Sequence, residues 1–463
     1  MNKRLASFLS LIVLICAPLS QATAQTEPDD AYVRAILQER VDKSKRSVGI
    51  VVGLVSSKGS RVISYGKPAQ GSNDALDGDT VFELGSITKV FTSLLLADMV
   101  ERGEVSLNDP ISKYLPKTVK APTRNGREIT LLDLATHTSG LPRLPGNMTP
   151  KDPNNPYADY TVEQMYEFLS GYQLTRDIGE KYEYSNFGAG LLGHILSLKA
   201  GTSYETLVVK RICKPLGMEM TRATLTPQMR ARLATGHDRS GKAVANWDIP
   251  TLAGAGALRS TANDMLKFLA ANLGLTKSKL LPAMQRAQAM QKETGVADLK
   301  IGLGWHILSK YGTEIVWHNG GTGGYHTFMG FDKKKGLGVV VLSNSTNDID
   351  DIGRHLLESK YTLAKYFPPR ERKAINLDPK ILETYVGRYA LTPSIIVTVT
   401  REGDKLYAEV PGQLKIELLA ESATDFFIRE EDAQMTFMKD EQGEVTGLVI
   451  HQNGRDLPAK RIK

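Results

Sequence analysis

Val81-Phe82-Glu83-Leu84-Gly85-Ser86-Ile87-Thr88-Lys89 runs from a short apolar segment into the strongest helical pattern of the chain, which spans 86–103 and stops at Gly103. Ser86 and Lys89 stand at i and i+3, so on a helix they share a face and the amine can reach the hydroxyl. A serine hydroxyl is a weak nucleophile and needs a base beside it. A lysine can be that base when burial or nearby positive charge lowers its pKa. A helix start also directs backbone N–H groups at a developing oxyanion. The spacing alone carries little, because Ser64-Tyr65-Gly66-Lys67 repeats it. That second copy runs from a strand into a Gly-Lys-Pro turn, whose geometry does not suit the role.

Outward from this stretch, the pattern predicts a helix over 30–46 with charges on one side. Strands follow at 48–55 and 61–65, joined by a Ser57-Lys58-Gly59-Ser60 turn. Further helices are expected at 161–170 and 187–200. Another starts near Thr261, with Asp264 placed to complete a capping box. Strands return at 303–309, 313–318, 325–332 and 337–343. Strands first, helices inserted and strands last make an α+β plan whose sheet is closed by both ends of the domain. Five prolines (Pro142, Pro145, Pro150, Pro153 and Pro156) mark 142–160 as a long loop, of the kind that often walls a binding site.

Pro368-Pro369-Arg370-Glu371-Arg372-Lys373 breaks the pattern and reads as a linker. Beyond it come short alternating runs at 385–390, 394–401, 405–410, 414–419, 425–430, 433–439, 444–451 and 456–462. Glu402-Gly403-Asp404, Pro411-Gly412, Gln442-Gly443 and Asn453-Gly454 supply turns between several of them. Evenly spaced short strands suggest a small antiparallel barrel. The expected division is therefore 1–24, 25–367, a linker at 368–380, and a β-barrel-like domain at 381–463.

The 463 residues, 41% hydrophobic and 24% charged, exclude a disordered chain, a collagen and a polytopic membrane protein. The formal net charge of +7 is mild, and no basic run interleaves with aromatics, so nucleic acid is not an expected partner. Residues 1–24 read as a secretory signal: Lys3 and Arg4 start it, Leu5 to Ser20 form its apolar core, and Ala22-Thr23-Ala24 is an A-x-A cleavage site. Ile15 stands where a lipoprotein would carry a small residue before Cys16. No other stretch is long and apolar enough to span a bilayer. A periplasmic or secreted chain is expected. Cys213 would then be the one remaining thiol, and it reads as a buried small hydrophobe.

Several familiar arrangements are missing: G-x-S-x-G, H-E-x-x-H, metal-ligand histidine spacing, a P-loop, and G-x-G-x-x-G in a phosphate context. Two further elements are present. Tyr184-Ser185-Asn186 is the only Y-x-N among 17 tyrosines. A phenol beside a lysine can relay a proton, and the asparagine amide can hold Lys89 or a substrate carbonyl. His318-Asn319-Gly320-Gly321 contains the only H-x-G among 8 histidines, at the end of a strand. Its glycines would let a substrate backbone approach the strand edge. Lys310-Tyr311-Gly312 and Lys334-Lys335-Gly336 look like hairpin turns.

S-x-x-K on a helix, Y-x-N on a loop and K/H-x-G on an edge strand, in that order, resemble the serine β-lactamase and penicillin-binding-protein family, in its class C-like branch. The resemblance spans about 30–360. It includes Leu131-Leu132-Asp133-Leu134-Ala135-Thr136-His137-Thr138-Ser139-Gly140-Leu141-Pro142 and Gly256-Ala257-Leu258-Arg259-Ser260-Thr261-Ala262. It implies a β-lactamase-like antiparallel sheet flanked by helices, with a helical insertion. The tail resembles the small barrel appended to some members. Ser86 would be acylated, and Lys89 and Tyr184 would share the base and relay work, in an order left open. Asn186 would position Lys89 and the substrate. His318, Asn319 and Gly320 would bind substrate, with His318 also assisting the proton network and the substrate carboxylate. The amides of Ser86 and Gly321 would form the oxyanion hole. His137 would be scaffold, and no metal or cofactor is implied.

The His-Asn-Gly third motif departs from the usual Lys-Thr-Gly, since a histidine is only partly charged and the hydroxyl is lost. Three activities stay open. One is an acyl-serine hydrolase of β-lactams or D-alanyl cell-wall peptides. Another is an esterase or D-amino-acid amidase of the same mechanism. The third is a penicillin-binding sensor that acylates without turnover. The partner in each is a small molecule or a peptide.

Overall fold

Gly49–Ser56 is buried along its whole length because both faces of its sheet are covered. Side chains alternate across a strand, so one apolar run feeds two cores. Ile50, Val52 and Leu54 pack with Val33 and Leu37 of the Asp30–Gln38 helix and with Ile352 and Leu356 of the Asp350–Leu357 helix. Val51 and Val55 join the opposite core, with Phe91, Leu266 and Leu269. A computed structural model of the protein describes residues 27–365, 372–392, 395–410, 415–428, 433–452 and 455–462. The expected signal at 1–24, Cys16, most of the Pro368–Lys373 stretch and the Pro411-Gly412 and Asn453-Gly454 turns lie outside them.

The sheet is antiparallel throughout and has eight strands. Gly59–Gly66 is at one edge, followed by Gly49–Ser56, Leu337–Ser343, His326–Asp332, Thr313–Gly321, His306–Lys310, Leu299–Ile301 and Lys292–Glu293. The first strands lie directly beside the last, as the α+β plan required. The strand expected from 303 starts at His306, because Gly302 and Trp305 close a turn around Gly304, whose φ is +68°. The helix expected over 30–46 is α-helical only to Gln38 and widens to a π turn over Glu39–Lys43. Thr261 caps Ala262–Asn272 as expected, but Asp264 does not reach back to complete the box. Its carboxylate accepts instead from Met220 N–H at 2.8 Å and the Thr221 hydroxyl at 2.9 Å.

The helical insertion packs around Thr88–Glu101, which is buried from Thr88 to Met99. A helix apolar on all sides belongs in the middle of a core. Gly85–Ile87 forms a 3-10 turn ahead of it, and Gly85 adopts φ +53°. A Cβ on Gly85 would lie 2.8 Å from Gly321 N, so the turn rests directly on the sheet edge. The second S-x-x-K is spent on structure: the Ser64 hydroxyl donates to Leu76 O, and Lys67 Nζ to Asn73 O. Tyr311-Gly312 and Gly336 are hairpin turns with positive φ.

The C-terminal strands close into an eight-stranded barrel, with Gly387–Thr392 pairing with both Ile395–Glu402 and Arg455–Ile462. Tyr385, Tyr389, Phe426 and Phe437 fill it. The Pro379–Tyr385 helix contributes Leu382 and Tyr385 to this core, and Ile375 N–H bonds Ala420 O. The described part of the expected 368–380 linker is thus already fastened to the barrel. Among the described residues no helix is long and apolar enough to cross a membrane.

Gly320 and Gly321 should respond differently to a methyl group. A Cβ on Gly320 would meet Leu84 O at 2.0 Å, whereas one on Gly321 finds nothing nearer than 4.0 Å. Gly320→Ala should cost about 1–3 kcal/mol, lowering the melting temperature by several degrees, and Gly321→Ala should stay within about 0.5 kcal/mol. Calorimetry of the two variants checks this, and equal midpoints would remove the close contact.

Candidate active site

Lys89 Nζ has three oxygen neighbours from three separate segments. Ser86 Oγ lies at 2.9 Å, Asn186 Oδ1 at 2.8 Å and the Ala255 carbonyl at 2.7 Å. Two of these are carbonyl oxygens that can only accept. A neutral amine has two N–H groups for them, which leaves its lone pair for the Ser86 hydroxyl. Lys89 is 1% exposed, and burial, followed by the charge of Arg143, holds its pKa well below the usual lysine value. The amine is therefore poised as a proton acceptor from Ser86.

Tyr184 stands over the same pair, with its ring centroid 4.8 Å from Lys89 Nζ and 5.2 Å from Arg143 Cζ. Burial raises its pKa above the normal phenol value, although Ser86 and then Arg143 pull the other way. It is a neutral phenol at ordinary pH. Imidazoles surround it. His137, in a left-handed conformation at φ +57°, places its ring 4.5 Å from that of Tyr184 and accepts Ser185 N–H on Nδ1. His318 lies 6.2 Å away and stacks at 5.0 Å on His306, whose Nε2 is 3.0 Å from Tyr182 Oη. All three are depressed, first by burial and then by each other, Lys89 or Arg143. His306 falls to about 4.

Ser86, Tyr184, Asn186, Asn319, Gly320 and Gly321 line one cleft, and Lys89 is buried beneath it against Ser86 and Asn186. His318 differs. It is 1% exposed, does not line the cleft, and is held neutral by burial. It faces Tyr184 from behind, because strand alternation turns it inward while Asn319 faces out. The expected contact from His318 to a substrate carboxylate is corrected accordingly. Asn319 is also committed: its Nδ2 donates to Asp350 Oδ2 at 2.8 Å. Cys213 is fully buried, and burial pushes its thiol up to about 12, in keeping with a structural role.

The cleft has a volume of about 410 Å³, enough for a small molecule or a short peptide segment. Residues that no motif signalled complete it: Arg143, Tyr157, Trp247 and His306. Only the proline content of 142–160 pointed toward Arg143 and Tyr157. The Tyr157 hydroxyl accepts Asn186 Nδ2 at 3.3 Å, and its ring lies 5.4 Å from that of Trp247. Behind them buried Arg259 donates to the Trp247 carbonyl and pairs with Glu83, which in turn accepts Trp247 N–H. His326, Asp348 and Asp350 present ligand atoms within 4.8 Å of one another. Burial opposes charge on His326, but Asp350 and then Asp348 outweigh it and raise its pKa. The ring nitrogen that a cation would need is thus engaged at 3.0 Å with Asp350 Oδ1.

Comparison with known proteins agrees with this geometry. Residues 33–359 match the family described as Beta-lactamase, and 371–461 match a domain of unknown function, DUF3471. The chain is 31% identical over 384 residues to the D-alanyl-D-alanine-carboxypeptidase/endopeptidase AmpH of Escherichia coli K12, covering 76% of this chain and 97% of that one. It is 28% identical over 431 residues to penicillin-binding protein 4* of Bacillus subtilis, covering 86% and 92%. A crystal structure of a beta-lactamase/D-alanine carboxypeptidase from Yersinia pestis superposes with a TM-score of 0.62 at 28% identity, covering 71% of this chain and 98% of that one.

The neutral histidines make stability depend on acidity. His137, His306 and His318 have native pKa values below the unfolded value, so below about pH 6.5 the unfolded chain binds protons that the native one refuses. Stability should fall as pH drops from 7 to 5, by on the order of 1 kcal/mol per pH unit for each histidine. His326, with its raised pKa, contributes stability that is lost in the opposite direction, as pH rises. In His306→Gln the acid-side loss in melting temperature should shrink. An unchanged slope would count against a neutral His306.

Proposed function

The chain belongs to the Beta-lactamase family and is a serine hydrolase, and from that premise we propose that Ser86 forms an acyl-enzyme with a β-lactam or a D-alanyl peptide and releases it to water. The observation that carries the proposal is the buried Lys89 amine, 2.9 Å from Ser86 Oγ and flanked by Asn186 Oδ1 and the Ala255 carbonyl, which as a neutral amine would give those two oxygens its N–H groups and keep its lone pair for Ser86. Lys89 accepts the Ser86 proton as Oγ attacks the carbonyl carbon. The oxyanion is held by the backbone N–H groups of Ser86 and Gly321, on segments that abut at Gly85. The C–N bond then breaks, and the leaving nitrogen takes a proton through Tyr184, which Lys89 replenishes. Water hydrolyses the ester by the reverse proton path. Asn186 fixes the amine and the acyl carbonyl.

The substrate class follows what the relatives' names state for those proteins, a carboxypeptidase/endopeptidase and a penicillin-binding protein. The charged start, apolar core and A-x-A site at 1–24 support a periplasmic or secreted setting. A second activity, on esters or neutral amides, is favoured by one observation. Buried His318 and committed Asn319 leave the third motif without the cation and hydroxyl that a carboxylate would use.

Intact-protein mass spectrometry with a β-lactam should show one acyl adduct on the wild type and none on Ser86→Ala. Turnover should be tested on nitrocefin, a D-Ala-D-Ala peptide and a p-nitrophenyl ester. Ser86→Ala should abolish all of it without loss of fold. Lys89→Ala and Tyr184→Phe should each slow acylation by about 10²–10⁴-fold, with a double variant little worse than the slower single. A Ser86→Ala protein that still turned over substrate would refute the mechanism.

A further inference from the structure

Arg143 is the only arginine or lysine lining the cleft among the described residues, and no carboxylate there pairs with its guanidinium. Its main chain is not free to drift. The Arg143 carbonyl accepts Asn186 N–H at 3.0 Å and Phe187 N–H at 3.1 Å, and the neighbouring Pro142 carbonyl accepts the Ser185 hydroxyl at 2.6 Å. The residue is therefore fastened to the segment that carries Tyr184 and Asn186, and the guanidinium lies 5.2 Å from the Tyr184 ring.

The facing wall offers no uncommitted cation. The Asn319 amide NH₂ is spent on Asp350 Oδ2 at 2.8 Å. His326 is neutralised by Asp350 at 3.0 Å and Asp348 at 3.7 Å. His318 is buried behind Tyr184. A carboxylate brought to the Asn319–Gly320 edge would meet no uncommitted side-chain cation, whereas one brought to Arg143 would meet a planar two-donor fork that matches it.

We propose that Arg143 receives a carboxylate carried by the substrate, so that the cleft recognises negative charge from the Tyr184–Asn186 wall and not from the third-motif strand. The proposal rests on the acyl-serine function above, and it adds the residue that recognises the free carboxylate such substrates carry near the scissile bond. The carboxylate can belong to the acyl arm or to the leaving arm, and the chemistry at Arg143 is the same.

Two matched pairs separate the arms. On the acyl arm, p-nitrophenyl hemisuccinate is compared with p-nitrophenyl butyrate. On the leaving arm, N-acetyl-D-Ala-D-Ala is compared with its C-terminal amide. Where turnover is too slow, the Ki against β-lactam labelling of Ser86 replaces kcat/KM. In at least one pair the wild type should favour the acid. Arg143→Gln should lower that preference by about 10-fold, with Arg143→Lys between the two and high ionic strength acting like the glutamine variant. The ratio cancels any change in the reaction common to both members.

Arg143 also depresses the Lys89 pKa. If Arg143→Gln only moves the acid limb of the pH profile upward and slows both members alike, Arg143 tunes Lys89 and does not recognise substrate, and the proposal falls. Unchanged ratios in both pairs overturn it as well. Absence of any β-lactam adduct on Ser86 would instead remove the acyl-serine function itself, so the two failures are distinguishable.

Discussion

The site depends on burying one lysine amine. Moving an ammonium out of water costs far more than hydrogen bonds to neutral groups return, so burial holds the Lys89 pKa well below the usual lysine value. That requires a dry surrounding, which the Thr88–Glu101 helix provides by being enclosed on every side. It also requires acceptors without protons of their own, which Asn186 Oδ1 and the Ala255 carbonyl provide. Both must approach closely. The Asn186–Ala200 helix reaches the Ala253–Gly256 turn only because glycines meet there: a Cβ on Gly193 would lie 2.8 Å from Gly254 Cα. Packing that looks remote from the cleft thus sets the surroundings of the Lys89 amine.

Around Tyr184 the same logic recurs with imidazoles. His137, His306 and His318 come from a loop and two adjacent strands, and each is depressed by burial first. His137 and His318 border the phenol and His306 stacks behind His318, so neutral rings add no fixed charge on this side of the site. A lysine in place of His318 would bring a cation to this wall. Its absence leaves Arg143, on the other wall, as the nearest unpaired positive group on the cleft surface. The distribution of charge across the cleft follows from which side of one strand a residue faces.

Much of the architecture was legible in the primary structure because it rests on local patterns. Apolar runs at Gly49–Ser56 and Leu337–Ser343, a helical pattern that opens at Ser86, and turns every few residues beyond 385 each have one economical structural solution. The departures have local causes. Gly304 with its positive φ delays a strand to His306, and Asp264 finds Met220 and Thr221 in place of its own helix start.

By itself the sequence marked Ser86, its lysine and the Tyr184–Asn186 pair as site candidates and determined the α+β fold followed by a barrel, since spacing on a helix and short loops constrain residues that are near in the chain. Tertiary structure alone decided the rest. That His318 turns inward is a matter of strand register and of what covers each face. That the Asn319 amide is committed depends on Asp350, 31 residues away. That Arg143 is unpaired depends on every carboxylate that could have come near and did not. Protonation of Lys89 and the histidines is likewise a property of enclosure, and enclosure is made by residues distant in sequence, whose pattern carries no mark of the site they surround.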